Sequence, residues 1–399
     1  MKKIAIIAYN HPESTLPLTK YLMKEGYSMD YFFLTGIGLT GTAAFEFGFK
    51  TKYPCLKKLT NRYIKSLDEY FDSENVNIYL VVLPPTLERF GNVFSNIFSI
   101  FKIAFLFLFS LFIRLRQYDG VSIVGQKKDL FYLHKFLKGL NKIHSLHEVL
   151  DYKTRMPKPN DPLIKHLINN EIPIVVHSLN SYNDLLKYDF VNPLNVHMVP
   201  FGLFETYKIF EDNSKIQKIK LKDEFILFFG MIEPYKGLNV LYDAMMLVLK
   251  EKPDIKIVIA GRGSDPSIAK MINNQSFIVL NRFITNEEIV YLNKNAKFVV
   301  CPYLAASQSG IVQTAFLFNK PIVASDVGAF REIIIPNENG LLVEPNNPES
   351  LAESILLLLN NRSCYTNLTV GVSNFIKKNE KYDWAIIAKK YITILDHCV

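Results

Sequence analysis

Short apolar runs alternate with longer helix-patterned segments along the chain. In the first half the runs are Ile4–Ala8, Tyr31–Leu34, Asn77–Leu83, Val121–Val124, Lys142–Leu146 and Pro173–His177, and Leu16–Gly26 has helical spacing and ends at glycine. Strands that alternate with helices are typical of a parallel, doubly wound sheet. This half therefore predicts an α/β domain of the Rossmann-like type.

The second half repeats the alternation. Strands are predicted at Phe225–Phe229, Ile255–Ala260, Phe277–Leu280, Phe298–Cys301 and Ile322–Ala324, and helices at Gly237–Lys250, Glu287–Asn293, Ile311–Phe318 and Glu349–Leu359. The polar stretch Phe204–Asp223 separates the two halves, so a second Rossmann-like domain is expected. Ligands of open α/β sheets bind beyond the carboxyl ends of the strands, and the loops that follow these strands should line the site.

Composition narrows the protein class. The chain has 399 residues, 49% hydrophobic and 21% charged, with a formal net charge of +8. This apolar content excludes a disordered chain, and the mild positive charge suits a lipid headgroup or a phosphate rather than a nucleic acid. The four cysteines form no C-x-x-C pair and Met1 leads directly into a strand. Reduced thiols in the cytosol and no signal peptide are expected.

Residues 93–113 form an apolar segment whose single charge is Lys102. Its length would allow a membrane span. However, the predicted strands on either side should share one sheet, which a span would prevent. One narrow polar stripe leaves an apolar arc wider than sheet packing requires, and Arg114, Arg116, Lys127, Lys128, Lys135 and Lys138 follow. The pattern favours a helix lying in a membrane surface. A buried core helix or an oligomer interface remains open.

Four local features in the second half could bind a phosphate. Lys236 ends the loop that begins at Gly230 after a strand, although it could be a solvated lysine. Gly261, Arg262 and Gly263 follow the next strand, where an ordinary turn is the alternative. Small or polar residues stand at the predicted start of an apolar helix: Ser307, Gln308, Ser309, Gly310 and Ile311. The free N–H groups of such a helix start can bind an anion, and simple N-capping by Ser307 or Ser309 is the alternative. The fourth feature is a strand, a glycine turn and a helix over residues 321–332, where a purely structural role is the alternative.

In this order and spacing, the features resemble the nucleotide-sugar-binding half of a retaining glycosyltransferase of family 4, which has the GT-B fold. The matching segments are Lys236-Gly237, Pro302, Lys320–Ser325, Val327-Gly328, Val199–Gly202 and Tyr382–Trp384. The resemblance implies two doubly wound Rossmann-like domains facing across a cleft, with a last helix that crosses back to the first domain. The expected boundaries are an acceptor domain at 1–203, a nucleotide-sugar domain at 204–378 and the last helix at 379–399.

The resemblance also implies roles for single residues. His147, in Ser145-Leu146-His147-Glu148, matches a histidine near the donor sugar and is expected, with Lys236, to be catalytic. The family's two glutamates fall at Ala306 and Thr314, and its arginine at Met231, so all three charges are missing. Arg282, beside Phe283, or Arg262 is expected to supply the missing positive charge.

The sequence therefore predicts a metal-independent glycosyltransferase, peripheral at the cytoplasmic face of the membrane. It would move a hexose or N-acetylhexosamine with retention from a nucleoside-diphosphate sugar to a glycan or lipid-linked acceptor, as in cell-surface polysaccharide synthesis. No cofactor beyond this co-substrate is expected. Residues 230, 236, 261–263, 282–283 and 307–311 would bind the donor, and Tyr9, Asn10 and His11 would face the acceptor. The alternatives are a nucleotide-sugar epimerase, a sugar phosphorylase, or an inactive scaffold of a glycan-assembly complex.

Overall fold

The computed structural model divides the chain into two compact units. The N-terminal unit comprises Met1–His177, Ser181–Phe201 and Trp384–Val399, and the C-terminal unit comprises Ser178–Asn180 and Gly202–Asp383. The structure describes residues 1–36, 41–42, 45–46, 53–59, 70–71, 76–85, 92–147, 149, 161–211, 221, 223–306 and 310–397, and only the backbone of 41–42, 45–46 and 92–97. The predicted donor residues Ser307, Gln308 and Ser309 lie outside the described residues, as does Glu148.

The N-terminal unit contains an eight-stranded sheet. Its strands are β1 (Lys3–Tyr9), β2 (Ser28–Gly36), β3 (Cys55–Lys58), β4 (Val76–Leu83), β5 (Gly120–Val124), β6 (Lys142–Ser145), β7 (Ile174–Val176) and β8 (Val196–Met198). They lie in the order β8-β7-β6-β5-β1-β2-β4-β3, and only the edge pair β3 and β4 is antiparallel. The six strands predicted in this half are confirmed, and β3 and β8 are additional.

The central strands form because their side chains are buried on both faces of the sheet. Every residue of β1 from Ile4 to Tyr9 is buried. Parallel strands covered on both faces have continuous apolar sequences, which is the pattern that predicts them here. Strand β1 pairs with β2 on one side and β5 on the other. Its carboxyl end, followed by Asn10 and His11, therefore lies in the middle of the sheet edge.

The C-terminal unit contains a six-stranded, wholly parallel sheet. Its strands are β9 (Phe225–Phe229), β10 (Lys256–Ala260), β11 (Phe277–Leu280), β12 (Val299–Cys301), β13 (Ile322–Ser325) and β14 (Gly340–Val343). They lie in the order β11-β10-β9-β12-β13-β14. The five predicted strands are confirmed and β14 is additional, so two Rossmann-like, doubly wound sheets are present as expected.

Helices connect the strands of both sheets. In chain order they are α1 (Pro12–Lys24), α2 (Asn92–Leu115), α3 (Asp129–Phe136), α4 (Pro162–Asn169), α5 (Leu179–Leu185), α6 (Leu238–Glu251), α7 (Ser267–Ile272), α8 (Asn286–Asn295), α9 (Gly310–Leu317), α10 (Phe330–Ile333), α11 (Pro348–Asn360), α12 (Arg362–Lys378) and α13 (Trp384–Asp396). The predicted helices are confirmed with shifts of a few residues at their ends, and α3, α4, α5, α7 and α12 are additional.

The last helix, α13, belongs to the N-terminal unit, as the family resemblance predicts. Its residues Trp384, Ile387 and Tyr391 are buried there. The Tyr391 hydroxyl and the Ser145 hydroxyl lie 2.8 Å apart, which joins α13 to the carboxyl end of β6. The N-terminal unit thus combines residues of the first half of the chain with a helix from its last segment.

Helix α2 buries two polar side chains and exposes many of its apolar ones. Lys102 is buried with its ammonium 2.9 Å from the Asp129 carboxylate, and the buried Ser110 hydroxyl donates to the Leu106 carbonyl at 2.7 Å. Arg114 is exposed in the last turn, and six large apolar side chains are exposed along the helix: Ile100, Phe101, Phe107, Leu108, Leu111 and Leu115. The third face, with Leu106 and Phe109, packs in the core. The exposed face is therefore more hydrophobic than the sequence pattern alone indicates.

Among the described residues, one helix is long and apolar enough to cross a membrane. It is α2, and the apolar window runs over Phe98–Leu115. Only 28% of that window is buried inside the protein. Strands β4 and β5, which precede and follow α2, belong to one sheet, as predicted. A helix whose two ends return to the same sheet does not span a bilayer.

Candidate functional site

Three predicted donor-binding residues meet at the carboxyl end of β9. If Gly230 carried a Cβ, it would lie 3.2 Å from the Lys236 Nζ and 3.1 Å from the Ile311 Cδ1. Gly230 has φ +116°, a conformation that L side chains rarely adopt. The absence of a side chain at 230 therefore lets the Lys236 ammonium approach the start of α9.

The Lys236 side chain is held against aromatic rings. Lys236 is only 7% exposed, at the end of a short turn over Pro234–Lys236. Its Nζ lies 5.3 Å from the centroid of the Tyr303 ring and 5.9 Å from that of Tyr235. Ring faces attract cations, most strongly where water is excluded. This arrangement keeps a desolvated positive charge at the sheet edge, where it would attract an anion.

The glycines at 261 and 263 serve the contact between two loops. A Cβ on Gly261 would lie 1.7 Å from the Gly230 carbonyl oxygen, and one on Gly263 would lie 1.9 Å from that of Ile232. The Ile232 N–H also donates to the Arg262 carbonyl at 2.9 Å. Close backbone packing is thus a sufficient reason for both glycines. The assignment of this loop to the donor stays a prediction.

Arg282 is engaged by a carboxylate. Its guanidinium donates to both oxygens of Glu288, at 2.7 and 2.9 Å, and Glu288 is also part of the capping box with Thr285 that starts α8. The hydrogen bond from Arg282 to Glu288 raises the pKa of Arg282. Its charge is already neutralised, so the proposal that it replaces the missing family charges is weakened. Arg262 is exposed and has no ion pair within the part of the chain that the structure describes.

In the N-terminal unit, two predicted residues stack on each other. The His11 and His147 rings lie 3.7 Å apart between centroids, with 16° between their planes. His177 and Phe201 extend this ring cluster, with their own centroids 3.8 Å apart. Asn10 and His11 have φ values of +64° and +62°, which is uncommon for residues with a side chain. The structure therefore joins the loop after β1 to the one after β6.

The two buried histidines of this cluster are neutral. Burial lowers the pKa of His147 well below its usual value, and the neighbouring His11 and His177 lower it further. Burial lowers the pKa of His177 to about 3, and its Nδ1–H donates to the Val199 carbonyl at 2.8 Å. A neutral imidazole can donate or accept a hydrogen bond but brings no charge. His147 would contribute hydrogen bonding rather than charge neutralisation.

Tyr9, which is expected to face the acceptor, is largely buried. It is 8% exposed and belongs to the core of the N-terminal unit, and burial raises the pKa of its hydroxyl. A Cβ on Gly125 would lie 3.0 Å from the Tyr9 Cβ, so the two loops pack tightly. The acceptor-facing role of Tyr9 stays a prediction. Only Asn10 and His11 keep partly exposed side chains in this group.

A cavity of about 10 Å³ lies beside His147 and His177, lined also by Ser145, Trp384 and Tyr391. This volume holds one water molecule at most. It is a packing gap within the N-terminal unit and is too small for a sugar.

The C-terminal unit matches a known protein family over most of its length. Residues 209–372 match the family described as Glycosyl transferases group 1. These residues belong to that family. Lys236, the glycine loop and the start of α9 all lie within the matched residues.

Relatives and solved structures agree with this assignment. An uncharacterized glycosyltransferase of Methanocaldococcus jannaschii is 31% identical over 39% of this chain and 43% of its own length. The phosphatidyl-myo-inositol mannosyltransferase of Mycobacterium leprae is 26% identical over 43% of this chain and 46% of its own. Each match thus spans less than half of the relative. The structure of Anabaena HepE with UDP-glucose has a TM-score of 0.67 at 13% identity and covers both chains fully, which establishes the GT-B fold.

The group 1 domain has uncharged residues where the family resemblance expects glutamates. The Thr314 hydroxyl donates to the Gly310 carbonyl of its own helix at 2.9 Å. Ala306 is buried, and its carbonyl oxygen fills the space that a Cβ on Gly328 would need. Met231, at the position of the family's arginine, is 49% exposed. None of these three side chains can bind a diphosphate through charge.

Sequence reasoning did not single out His177, Phe201 or Glu288. His177 ends a predicted apolar strand, and Phe201 lies in the matched Val199–Gly202 segment. The sequence therefore identifies both segments but does not predict the contact between the two rings. Glu288 follows Arg282 by six residues, and its pairing depends on the capping box of α8. Among the described residues, no group of three or more His, Cys, Asp or Glu side chains is placed to hold a metal ion.

Proposed function

We propose that the chain transfers a hexose or N-acetylhexosamine from a nucleoside-diphosphate sugar to a glycan or lipid-linked acceptor, with retention, in the synthesis of a cell-surface polysaccharide. The observation that carries the proposal is the approach of the Lys236 ammonium to Gly230 and to Ile311 at the start of α9. The family of residues 209–372 supports the reaction class, and the UDP-glucose bound by HepE supports the donor class.

The chemical task is to stabilise a leaving diphosphate beside an oxocarbenium-like sugar. Positioned charges and dipoles contribute most to such a step when water is excluded. Lys236 would neutralise one diphosphate oxygen, and the N–H groups at the start of α9 would contribute about 0.3–1 kcal/mol for an exposed contact. In a retaining reaction the donor phosphate itself would accept the acceptor's proton. Neutral His147 would hydrogen-bond the sugar, and Arg262 is the remaining candidate for a second cation.

The same proposal places the protein on the cytoplasmic surface of a membrane through α2. Its outward side chains Phe101, Leu108 and Leu115 are 64%, 63% and 75% exposed, and monomeric proteins rarely leave so large an apolar face in water. Exposed Lys127, Lys128, Lys135 and Lys138 follow in the chain. Apolar side chains next to lysines suit a bilayer with anionic headgroups. Arg116 does not join this group because it pairs with the buried Asp30 at 2.9 Å.

The direct test is a panel of UDP-, GDP- and ADP-sugars in thermal-shift assays, followed by mass spectrometry of hydrolysis and transfer products. One sugar nucleotide should stabilise the protein, and transfer should require an added acceptor. Lys236→Met should weaken donor binding at least tenfold, whereas Lys250→Met, at an exposed position of α6, should not. Conversion of the donor without an acceptor would indicate an epimerase. No stabilisation by any donor would indicate a scaffold and overturn the proposal.

A further inference from the structure

A second cavity, of about 530 Å³, lies in the C-terminal unit at the amino ends of the strands. Glu224, Lys297 and Lys320 line it, and they precede β9, β12 and β13, which are neighbours in the sheet. Gly230 and Pro302 follow the carboxyl ends of β9 and β12. The cavity is therefore on the opposite edge of the sheet from the candidate donor site.

The cavity wall has more positive than negative charge. Lys297, Lys320 and Arg362 line it together with one carboxylate, Glu224. The Lys297 ammonium lies 2.8 Å from the Glu224 carboxylate, so this pair is neutral. Lys320 and Arg362 have no ion pair within the part of the chain that the structure describes, which leaves a charge of +2 on the wall.

Lys320 is the more informative of the two cations. It is half-buried, and burial lowers the pKa of its ammonium. Removing a charge from water without a partner costs free energy. A bound anion would remove that cost. Arg362, the exposed first residue of α12, lines the same cavity.

The remaining wall is suited to the organic part of a ligand. Leu358 and Leu359, at the end of α11, give it an apolar floor. Tyr365 is held in place, because its hydroxyl donates to the Lys297 carbonyl at 3.0 Å. Small-molecule sites typically have volumes of about 300–1,000 Å³ and a few convergent polar groups on an apolar lining. This cavity satisfies both conditions.

We propose that this cavity binds a small organic phosphate, with the phosphate group between Lys320 and Arg362. A phosphomonoester carries a charge of about −1.5 to −2 at pH 7, which matches the two unpaired cations better than a single carboxylate does. The site is independent of the donor site and of the transferase function proposed above.

Isothermal titration calorimetry of the full chain with glycerol 3-phosphate tests the proposal, with sodium chloride used to keep the ionic strength equal in all titrations. The wild type should bind, and the double variant Lys320→Gln/Arg362→Gln should bind roughly tenfold or more weakly, because each charged hydrogen bond is strong. Lys250→Gln is the matched charge control. Lys236→Met, which removes the donor-site cation, should leave this binding unchanged.

Three results of the binding experiment would overturn the inference. They are no binding by the wild type up to about 10 mM ligand, unchanged binding by the double variant, and loss of binding through Lys236→Met alone. Folding is checked by thermal unfolding without ligand. Lys320→Gln removes an uncompensated half-buried charge, so its melting temperature should equal or exceed that of the wild type. A clear decrease would mean that Lys320 stabilises the fold through a protein partner, which also contradicts the proposal.

Discussion

The His11 imidazole covers one face of the His147 imidazole, with 3.7 Å between ring centroids. His11 belongs to the loop after β1 and His147 to the loop after β6, so the stack depends on the left-handed conformation of Asn10 and His11. The cover keeps water from His147 and adds a second titratable ring beside it. Both effects hold the pKa of His147 low.

His11→Ala should raise the pKa of His147 towards its usual value of about 6.5. The substitution exposes the ring face and removes the repulsion by His11, and both changes favour the charged form. Proton NMR titration of the imidazole Cε1–H signals measures the shift. His11→Phe keeps the cover without the charge and should give a smaller rise. An unchanged pKa in both variants would show that other groups bury His147.

The stability of the chain should fall as the pH decreases from about 6.5. Burial lowers the pKa of His134 and His147 well below normal, that of His144 to about 4 and that of His177 to about 3. Below pH 6.5 the unfolded chain binds protons that the folded chain excludes. Each histidine then removes up to about 1.4 kcal/mol of unfolding free energy per pH unit, until the pH reaches its folded pKa.

Thermal unfolding at pH 7.5, 6.5 and 5.5 checks this dependence. The melting temperature should change little between the first two values and fall steeply between the last two. His144→Gln/His177→Gln removes two of the four groups and should make the decrease shallower. Asp30 does not act in this window: burial alone would raise its pKa, but hydrogen bonds from Tyr118, Asn77 and Lys3 lower it. A pH-independent melting temperature would contradict the conclusion that these histidines are buried and neutral in the folded chain.

Gly230→Ala should impair donor binding beyond its effect on stability. The new Cβ would lie 3.2 Å from the Lys236 Nζ and would displace the ammonium from the start of α9. Gly26→Ala is the control, because Gly26 also has a positive φ, +88°, but no atom lies within 4 Å of the place its new methyl group would take. Both variants should lose about 1–3 kcal/mol of unfolding free energy from backbone strain. Donor titration should show weaker donor binding by Gly230→Ala than by Gly26→Ala. Equal donor affinity of the two variants would show that Gly230 is not part of the donor site.

Replacing exposed apolar residues of α2 should release the protein from vesicles. Phe101→Ser/Leu108→Ser removes two outward side chains, each of which contributes about 1.5–3 kcal/mol when buried. Sedimentation with vesicles of phosphatidylcholine and phosphatidylglycerol should therefore decrease at least tenfold. Phe190→Ser/Leu194→Ser is the matched control, because those side chains are 93% and 82% exposed elsewhere in the N-terminal unit. If the wild type does not sediment, or if both variants behave alike, the membrane proposal fails.

The sequence predicts the buried strands of both sheets well because complete burial requires an apolar residue at almost every position. It does not predict β3, an edge strand whose Lys57 and Lys58 are exposed. Helix α12 is also missed, since it contains Thr, Asn and Gly and owes its position to packing. One such contact is Gly371, where a Cβ would lie 1.6 Å from the Glu338 carbonyl oxygen. Local composition thus predicts the strands of the core, but it does not predict elements whose formation depends on tertiary contacts.

The candidate site shows the same limit. Lys236, Gly230 and Ile311 meet as predicted because their loops all follow carboxyl ends of parallel strands. The partner of Arg282 could not be inferred, because Glu288 serves both a helix cap and an ion pair. The orientation of α2 could not be inferred either. The sequence shows a polar stripe on the helix, but the inward direction of Lys102 follows from its ion pair with Asp129.

The return of α13 to the N-terminal unit affects how the chain acquires its structure during synthesis. Trp384, Ile387 and Tyr391 complete the core beside β6, yet they are translated after the whole C-terminal unit. During translation, the C-terminal unit can therefore complete its fold before the N-terminal unit, which lacks its last helix until Trp384–Val399 has been synthesised. Premature termination before Trp384 would thus damage the half of the protein that was synthesised first.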